Sequence, residues 1–386
     1  MSNEKQIPTL EESRAAIDRI DRELVRLFCE RMGVAADVAA YKRTVGKPVT
    51  DAARERALLC KISELAGPEM EGYARTLFET LMALSKSYQH ERLNTTSALA
   101  GKIRGAVEST PPIFPARAKV ACQGVEGAYS LKAAGKLFAC PDVSFYKTFE
   151  DVFAAIEQGE CRYGVLPIEN STAGSVTQIY DLMSAHRFYI VRAMRLKVDH
   201  CLLAKPGTRL SDVREVVSHQ QALSQCAGYL AGMPGVKTTA HPNTAKAAEF
   251  VKSAGEGYAA IAGKDCAAIY GLQVLAEAIQ DNGNNYTRFI CISKEPEIYP
   301  GADKTSILLT IPHKPGSLSR MLTQINAMNI NLTKLESRPI PGQDFEFLFY
   351  FDLESPVESP ALLRFLGELE SSSEHFRYLG TYREML

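Results

Sequence analysis

Apolar residues recur at helical spacing through residues 9–93, and the chain then changes texture. Ile17, Ile20, Leu24, Leu27, Phe28, Val34, Val38 and Tyr41 mark one stripe of a long first helix, uninterrupted by Gly before Gly33 or by Pro before Pro48. Thr9-Leu10-Glu11-Glu12, after Pro8, has the form of a capping box, with the Thr9 hydroxyl accepting from the Glu12 amide and the Glu12 carboxylate reaching back. Val45-Gly46-Lys47-Pro48 predicts a turn. A second helix starts near Asp51, carries Leu58, Leu59, Ile62 and Leu65, and stops near Gly67-Pro68. A third runs from about Glu69 to Leu93 with Tyr73, Leu77, Leu81, Leu84 and Tyr88 on its stripe. The first helix would cover ~35 residues, or ~50 Å at 1.5 Å per residue. Two shorter helices cannot cover an apolar stripe of that length, so this region predicts an intertwined helical dimer.

Residues 94–117 read as a linker. Small, polar and Pro residues cluster there (Thr-Thr-Ser-Ala-Leu-Ala-Gly, then Ser-Thr-Pro-Pro-Ile-Phe-Pro) without an apolar period. From Lys119 short apolar runs alternate with helical stretches. The strand candidates are Val120–Cys122, Tyr163–Ile168, Tyr189–Val191, His200–Ala204, Val216-Val217, Tyr258–Ile261 and Phe289–Ile292. That alternation predicts an α/β domain over 118–300 with a largely parallel sheet. Residues 301–386 read differently again: strand Thr305–Ile311, helix from Ser317 through Met328, extended Asn331–Pro339, strand Phe345–Asp352, helix Pro360–Glu370 and strand Phe376–Gly380. The order β-α-β-β-α-β is that of a ferredoxin-like unit, which by itself names no function.

Composition narrows the classes. At 386 residues there is room for two or three domains, and 46% apolar with 23% charged residues is ordinary for a globular protein. A net charge of −1 leaves no electrostatic footprint for nucleic acid or an anionic membrane. Glu4, Glu11, Glu12 and Asp18 stand where an export signal would need an apolar core, and no run of about 18 apolar residues exists to span a bilayer. The expected location is the cytoplasm. Nine cysteines without Cys-x-x-Cys and seven histidines without His-x-x-x-His predict free thiols and no metal. Gly124-x-x-Gly127 is not Gly-x-Gly-x-x-Gly, and no Gly-x-x-x-x-Gly-Lys-Ser/Thr occurs, so no nucleotide cofactor is expected.

Helix geometry sorts the polar residues of the first segment. Arg31 and Lys42, eleven positions apart, lie within ~20° of each other around the helix and ~16 Å apart along it. Asp51, Arg54 and Glu55 share one face, and Ser85 and Gln89 share another. Arg14 lies ~25 Å before Arg31 and about 100° round, so if it binds the same kind of ligand it reaches across to a partner chain's site. Taken singly, each of these is as readily a solvated helix-surface group. As a set, Arg14, Arg31, Lys42, Asp51, Arg54, Glu55, Ser85 and Gln89 resemble the site of the all-helical chorismate mutases, and Lys47-Pro48-Val49-Thr50-Asp51-Ala52-Ala53-Arg54-Glu55-Arg56 resembles that family's loop-to-helix signature. The resemblance covers residues 9–93 and implies an arginine donated by the partner chain. Rearranging chorismate to prephenate is a pericyclic shift that needs no acid or base, only a held conformer and stabilised charge on the breaking ether oxygen. Arg14 and Arg31 would clamp the carboxylates, and Lys42 and Gln89 would donate to the ether oxygen. Asp51 and Glu55 would hold the ring hydroxyl and backbone amides, with Arg54 and Ser85 in support.

In the α/β domain three strand-to-helix turns present amides and hydroxyls suited to carboxylates: Gly124–Ser130, Glu169–Ser175 and Ser218–Ala222. Ordinary capping explains such serines and threonines equally well. Asn285-Tyr286-Thr287-Arg288-Phe289 follows the turn-forming Asp281-Asn282-Gly283 and enters a strand. Together with Val165–Ser171, Ser218-His219 and Tyr270-Gly271-Leu272, these motifs resemble the prephenate dehydratases over residues 118–298. That implies two α/β lobes, residues ~196–270 forming the second, with a cleft between them. Asn170, Ser171, Thr172, Ser218, Thr287, Arg288 and Phe289 would bind prephenate there, and Thr287 would be essential for expelling hydroxide with carbon dioxide to give phenylpyruvate. Val125, Ala128 and Gln220 depart from the family, which favours Pro, Thr or Ser, and Pro at those places. Pro315-Gly316-Ser317-Leu318 and Leu335-Glu336-Ser337-Arg338-Pro339 resemble the amino-acid-binding ACT domain. They imply that L-phenylalanine is sensed at Gly316, Ser317, Leu318, Glu336, Ser337 and Arg338.

In chain order the three resemblances are those of the bifunctional chorismate mutase/prephenate dehydratases with an ACT regulatory domain. The expectation is therefore three units: helical 1–93, two-lobed α/β 118–300 and ferredoxin-like 301–386. They would form a feedback-inhibited homodimer or larger assembly. The competing reading is a non-catalytic phenylalanine-responsive protein. A mutase fused to a dehydrogenase would need the missing nucleotide fingerprint.

Overall fold

The computed structural model describes residues 8–47, 49, 51–93, 97–340 and 347–385. Pro48 and Thr50 of the loop-to-helix motif, the first positions of the expected linker at 94–96, and Phe345-Glu346 of an expected strand lie outside the described residues.

Helix α1 spans Leu10–Thr44 and starts as its capping box predicts: Glu12 N donates to Thr9 Oγ1 at 3.2 Å and Thr9 N to the Glu12 carboxylate at 2.8 Å. Helix α2 runs Ala52–Leu93 but breaks at Gly67 (φ 72°, ψ 169°), just before Pro68, so the two expected helices are present end to end. A positive φ suits glycine, and Pro68 cannot donate back into the preceding turn. The stripe of α1 is bare within one chain. Only Ala35 and Ala39 of α1 are buried, whereas Ile17, Leu24, Val34 and Tyr41 are 55%, 54%, 57% and 66% exposed.

The expected linker is corrected by a helix, α3 (Ala98–Ser109), capped by Ser97, whose Oγ accepts from Ala100 N at 3.0 Å. Its Leu99, Ala100, Ile103 and Ala106 are buried against Leu362, Leu363, Phe365 and Leu366. Small alanines fill the stripe between Leu99 and Ile103, which is why the period is faint in the sequence.

Next come β1 (Arg117–Gln123), α4 (Tyr129–Leu137), β2 (Cys140–Tyr146), α5 (Phe149–Glu157), β3 (Tyr163–Asn170), β4 (Gly174–Ser175), α6 (Thr177–Ala185) and β5 (Tyr189–Lys197). A second lobe follows: β6 (Cys201–Ala204), β7 (Glu215–Ser218), α7 (Gln220–Gln225), α8 (Ala227–Ala231), β8 (Lys237–Ala240), α9 (Thr244–Ser253), β9 (Tyr258–Ala262), α10 (Asp265–Tyr270) and β10 (Gln273–Ala276). Strand β11 (Tyr286–Ser293) then returns to the first lobe. The lobes hold separate sheets, in order β5-β11-β3-β1-β2 and β10-β6-β9-β7-β8. Both are mixed, which corrects the expected largely parallel sheet. β1 pairs in parallel with β2 and β3, but the returning β11 runs antiparallel to β3 and β5, and β6 runs antiparallel to β9 and β10. In the first lobe Val120 and Cys122 face one core layer and Ala121 the other, the period-2 alternation of a sheet covered on both sides.

The last unit contains β12 (Lys304–Thr310), α11 (Ser317–Ala327), β13 (Asn331–Pro339), β14 (Phe347–Glu354), α12 (Pro360–Ser372), β15 (Phe376–Tyr382) and β16 (Glu384–Met385). Its four antiparallel strands lie in the order β13-β14-β12-β15. One face packs on α3, α11 and α12 through Ile307, Leu309 and Phe351, and the other packs Leu308, Tyr350 and Tyr382 on the first lobe. β16 pairs in parallel with β5, so the end of the chain extends the first lobe's sheet. Gly380 makes the junction possible: a Cβ there would meet the Ile190 carbonyl oxygen at 2.2 Å. All nine cysteines are free thiols.

Candidate active sites

Seven of the eight polar residues expected in the helical segment surround one cavity of about 310 Å³: Arg31 and Lys42 from α1, Asp51, Arg54 and Glu55 at the start of α2, and Ser85 and Gln89 near its end. Val34, Val38, Leu58 and Met82 form its apolar wall. The helix spacing brings this about, since Arg31 and Lys42, Asp51 and Glu55, and Ser85 and Gln89 are each separated by about one or more whole turns. Lys42 Nζ donates to the Val49 carbonyl at 2.5 Å, tying α1 to the loop before α2, and Asp51 Oδ1 accepts from Arg54 N at 3.0 Å as the cap of α2. Burial pushes the Arg31 guanidinium below its ordinary range. Gln89 donates to Ser85 Oγ at 3.4 Å, while its buried Oε1 has no hydrogen-bond partner among the described residues. The cavity thus holds an unsatisfied polar group and a cluster of cations, the requirements of an anionic ligand with hydrogen-bonding groups. Arg14 is exposed and does not line it.

The second cluster forms where β3 ends beside β11. Asn170 Nδ2 donates to Thr287 Oγ1 at 3.0 Å and to Asn285 Oδ1 at 2.8 Å. The orientation of the amide is fixed from its other side, because Asn170 Oδ1 accepts from Thr172 N at 3.1 Å and Ala173 N at 2.9 Å. Thr287 Oγ1 therefore accepts from Asn170, which leaves its own proton for a ligand in the cleft. Ser171 is bound up with the same strand: its Oγ donates to Asn284 O and accepts from Tyr286 N, both at 2.9 Å.

Across the cleft, Gln225 Nε2 donates to Thr172 Oγ1 at 2.8 Å, and Gln225 Oε1 accepts from Asn285 Nδ2 at 3.1 Å. His200 Nε2 lies 2.9 Å from that same acceptor, so its proton is on Nε2. Burial pushes this imidazole below its ordinary range. Asn285, Gln225 and His200 were not singled out from the sequence as site residues. Asn285 had a signal in its place two residues before Thr287. Gln225 and His200 had none, because contacts between lobes leave no spacing to read.

Three expected prephenate ligands are corrected. Ser218 is fully buried and its Oγ donates to Ile261 O at 2.6 Å, so it locks β7 to β9. Phe289 is a core residue beside Val165 and Met194. Arg288 points away from Thr287, as alternation along β11 requires, and meets the C-terminal unit. Its Nη1 is 2.5 Å from Asp352 Oδ2 and its Nη2 donates to Tyr382 Oη at 2.8 Å. Its Nε lies 2.7 Å from Glu384 Oε1 as an ion pair, without hydrogen-bond alignment. The Ala128 departure leaves α4 without a side-chain cap.

The six residues expected to sense phenylalanine fall in two places. Gly316 caps α11 in the left-handed region (φ 78°), and Ser317 Oγ accepts from Arg320 Nη2 at 2.9 Å. Leu318 packs inward. A cavity of about 750 Å³ beside this turn is lined by Ser317 but by none of Glu336, Ser337 and Arg338. On β13 alternate residues face the first lobe: Lys334 bonds Glu169 at 2.8 Å, Glu336 accepts from Ser175 Oγ at 2.7 Å, and Arg338 meets Asp181 at 2.9 Å. Ser337 is exposed on the opposite side.

Residues 13–90 match the chorismate mutase type II family, and residues 120–297 match the prephenate dehydratase family. Over 380 residues, 96% of this chain and 95% of the other, the sequence is 31% identical to the bifunctional chorismate mutase/prephenate dehydratase of Escherichia coli (strain K12). The chain belongs to the bifunctional chorismate mutase/prephenate dehydratase family. It is also 39% identical to arogenate dehydratase 2 of Petunia hybrida over 317 residues, 76% of this chain and 79% of that protein. Among solved structures, the prephenate dehydratase of Arthrobacter aurescens in complex with L-Phe superposes with a TM-score of 0.63 at 28% identity, over 68% of this chain and 89% of that one. The chorismate mutase match contains the helical cavity, and the prephenate dehydratase match contains the Thr287 cluster. The sequence reading missed one side chain of the mutase cavity: Lys86, which pairs with Glu55 at 3.1 Å. Among the described residues no helix is long and apolar enough to cross a membrane.

Proposed function

We propose that the chain works in the cytoplasm as a homodimer or larger assembly, converts chorismate to phenylpyruvate through prephenate at two separate sites, and is inhibited by L-phenylalanine. The observation that carries this reading is the mutase cavity, assembled from eight polar residues, seven of them expected, with Arg14 outside it. A second copy laid along the bare stripe of α1 would cover its apolar residues and could bring its own Arg14 to the cavity. Arg14 and Arg31 then clamp the two carboxylates of chorismate, Lys42 and Gln89 stabilise the ether oxygen, and Asp51, Glu55, Arg54 and Ser85 hold the rest of the ring.

At the second site the difficulty is a poor leaving hydroxide. Thr287 is a hydrogen-bond donor rather than a nucleophile in this reading. Its oxygen already accepts from Asn170, so its proton is directed at the departing hydroxyl while carbon dioxide leaves and the ring aromatises. The C-terminal unit is a ferredoxin-like ACT domain in this reading. Gly316, Ser317 and Leu318 of one copy and Glu336, Ser337 and Arg338 of another share the phenylalanine, which agrees with their separation within one chain. The relative solved with L-Phe supports the choice of regulator.

Chorismate supplied without cofactor should give phenylpyruvate, and added phenylalanine should slow its formation. Accumulation of prephenate alone would remove the dehydratase half. A response to no amino acid would remove the regulatory half, and a monomer in sedimentation at micromolar concentration would remove the shared mutase site.

A further inference from the structure

Lys86 stands out among the cavity-lining groups. It lies one residue past Ser85 on α2, and its ammonium sits within reach of both oxygens of Glu55, 3.1 Å from Oε1 and 3.3 Å from Oε2. Glu55 is 31 positions earlier, so this bond ties the start of α2 to its far end across the mutase cavity. Both side chains are only about 30% exposed (30% and 29%), so the pair is shielded from solvent more than a surface ion pair is. The cavity is lined by four cations, Arg31, Lys42, Arg54 and Lys86, and two carboxylates, Asp51 and Glu55. Four minus two leaves an excess of two positive charges, which matches a dianionic substrate.

The other side of Lys86 faces a second cavity. It also lines the 750 Å³ cavity beneath the Pro312–Ser317 turn, where Arg320 of α11 bonds Glu79 of α2 at 2.8 Å.

We propose that Lys86 is a positioning residue of the mutase reaction. It acts through Glu55, holding that carboxylate in place for the substrate's ring hydroxyl and balancing its charge so that a dianion is not repelled. The proposal depends on the role given to Glu55 above, and the Glu55 variant below tests that role separately.

The test is mutase kinetics on the full chain, with dehydratase turnover of the same preparation as the control for folding and concentration. Lys86→Met should raise the KM for chorismate roughly tenfold with kcat within about threefold, the pattern of lost ground-state charge complementarity. Lys86→Arg, which keeps the charge, should restore KM to within about threefold of the parent. Glu55→Gln should impair the mutase by itself. In that background Lys86→Met should change KM by less than about twofold, because the charge it balances has gone. Unchanged KM in Lys86→Met, or a tenfold loss that persists in the Glu55→Gln background, would overturn the proposal. Should Glu55→Gln alone leave the mutase untouched, it is the role of Glu55 that fails.

Discussion

The mutase cavity takes its polar groups from whole-turn positions on two long helices, whereas the dehydratase cluster takes its groups from strand ends and turns that meet only after two lobes have folded. The helical site is partly open, and its neighbourhood exposes Leu24, Val34 and Tyr41 to solvent. At the α/β site Asn170, Asn285 and His200 are buried, with hydrogen bonds running between them through Thr172 and Gln225. In the proposed assembly a single chain therefore completes the second site, while the first awaits Arg14 of another copy. Each site can be damaged separately, and the ways in which it fails should differ.

The largest effect is expected at Thr287. Thr287→Ala removes the hydroxyl that Asn170 orients, and dehydratase turnover should fall about 10²- to 10³-fold, the range for losing one aimed donor. Thr287→Ser should keep most of the activity, and conversion of chorismate to prephenate should be untouched in both. Lys42→Ala is the mirror experiment: the mutase is lost and the dehydratase spared. Coupled assays on purified variants measure both steps, and loss of both activities from either variant would break the separation. A Thr287→Ala protein that still made phenylpyruvate at the parent rate would end the donor role.

The next effect sharpens the contrast between a finished and an unfinished site. Charges placed on the bare stripe, Leu24→Glu with Phe28→Glu, should shift sedimentation to the monomer and reduce mutase activity by roughly tenfold or more, because the proposed dimer would lose its shared site on dissociation. Dehydratase activity per chain should be unchanged. A monomeric variant with full mutase activity would mean that Arg14 is not needed from a partner.

Arg288 tests how far the dehydratase region is continuous with the C-terminal unit. Its guanidinium and Asp352 are 8% and 1% exposed, and Asp352 Oδ1 also accepts from Ser306 at 2.5 Å. Removing one member of such a pair strands the other, at about 3 kcal/mol. Asp352→Asn should therefore lower the denaturation midpoint of the dehydratase without moving that of the mutase. Glu384 gives the cluster a pH signature. Burial opposes its ionisation, but Arg288 and then Lys304 outweigh that and hold its pKa below the ordinary value. A depressed carboxylate contributes stability above its unfolded pKa and loses it as pH falls through the folded one. The parent should thus lose more stability on acidification than a Glu384→Gln variant does, as followed by urea titrations at stepped pH.

This asymmetry also explains what could be read from the sequence. Helix spacing is a local rule, so α1 and the shared faces of Asp51, Arg54 and Glu55 and of Ser85 and Gln89 followed from intervals along the chain, the break followed from Gly67-Pro68, and the seven cavity members were picked out as a set by their resemblance to the chorismate mutases. Thr287 and Asn170 were found because a motif carried them, but the motif placed Arg288, Phe289 and Ser218 in the same site, and the folded chain sends each elsewhere. Alternation on β11 turns Arg288 away from Thr287, packing takes Phe289, and the strand bond to Ile261 takes Ser218. Helix α3 was hidden because alanine adds little to an apolar period. The first lobe's sheet is mixed because β11 arrives from the second lobe, and the second because β6 runs against β9 and β10, crossings that no interval in the sequence records.

The smallest expected effect lies where the two regions touch. Glu368 of α12 is half-buried, and its buried Oε1 has no hydrogen-bond partner among the described residues. Burial pushes its pKa up to about 7, with Arg364 and then Lys86 holding it down in part. The sign is opposite to that of Glu384. A carboxyl raised in the folded state is tolerated at low pH, where it is protonated, and costs stability as pH rises through its folded pKa. Glu368→Gln should therefore raise the melting midpoint by about 2–4 °C at pH 8 and leave it unchanged at pH 4. Equal shifts at both pH values would mean that the glutamine acts by packing and not by removing a buried charge. A lower midpoint at pH 8 would mean that the carboxylate is a net stabilising partner of Lys86. In that case the α2–α12 contact would hold the mutase helices to the C-terminal unit by an ion pair that Lys86→Met should also break.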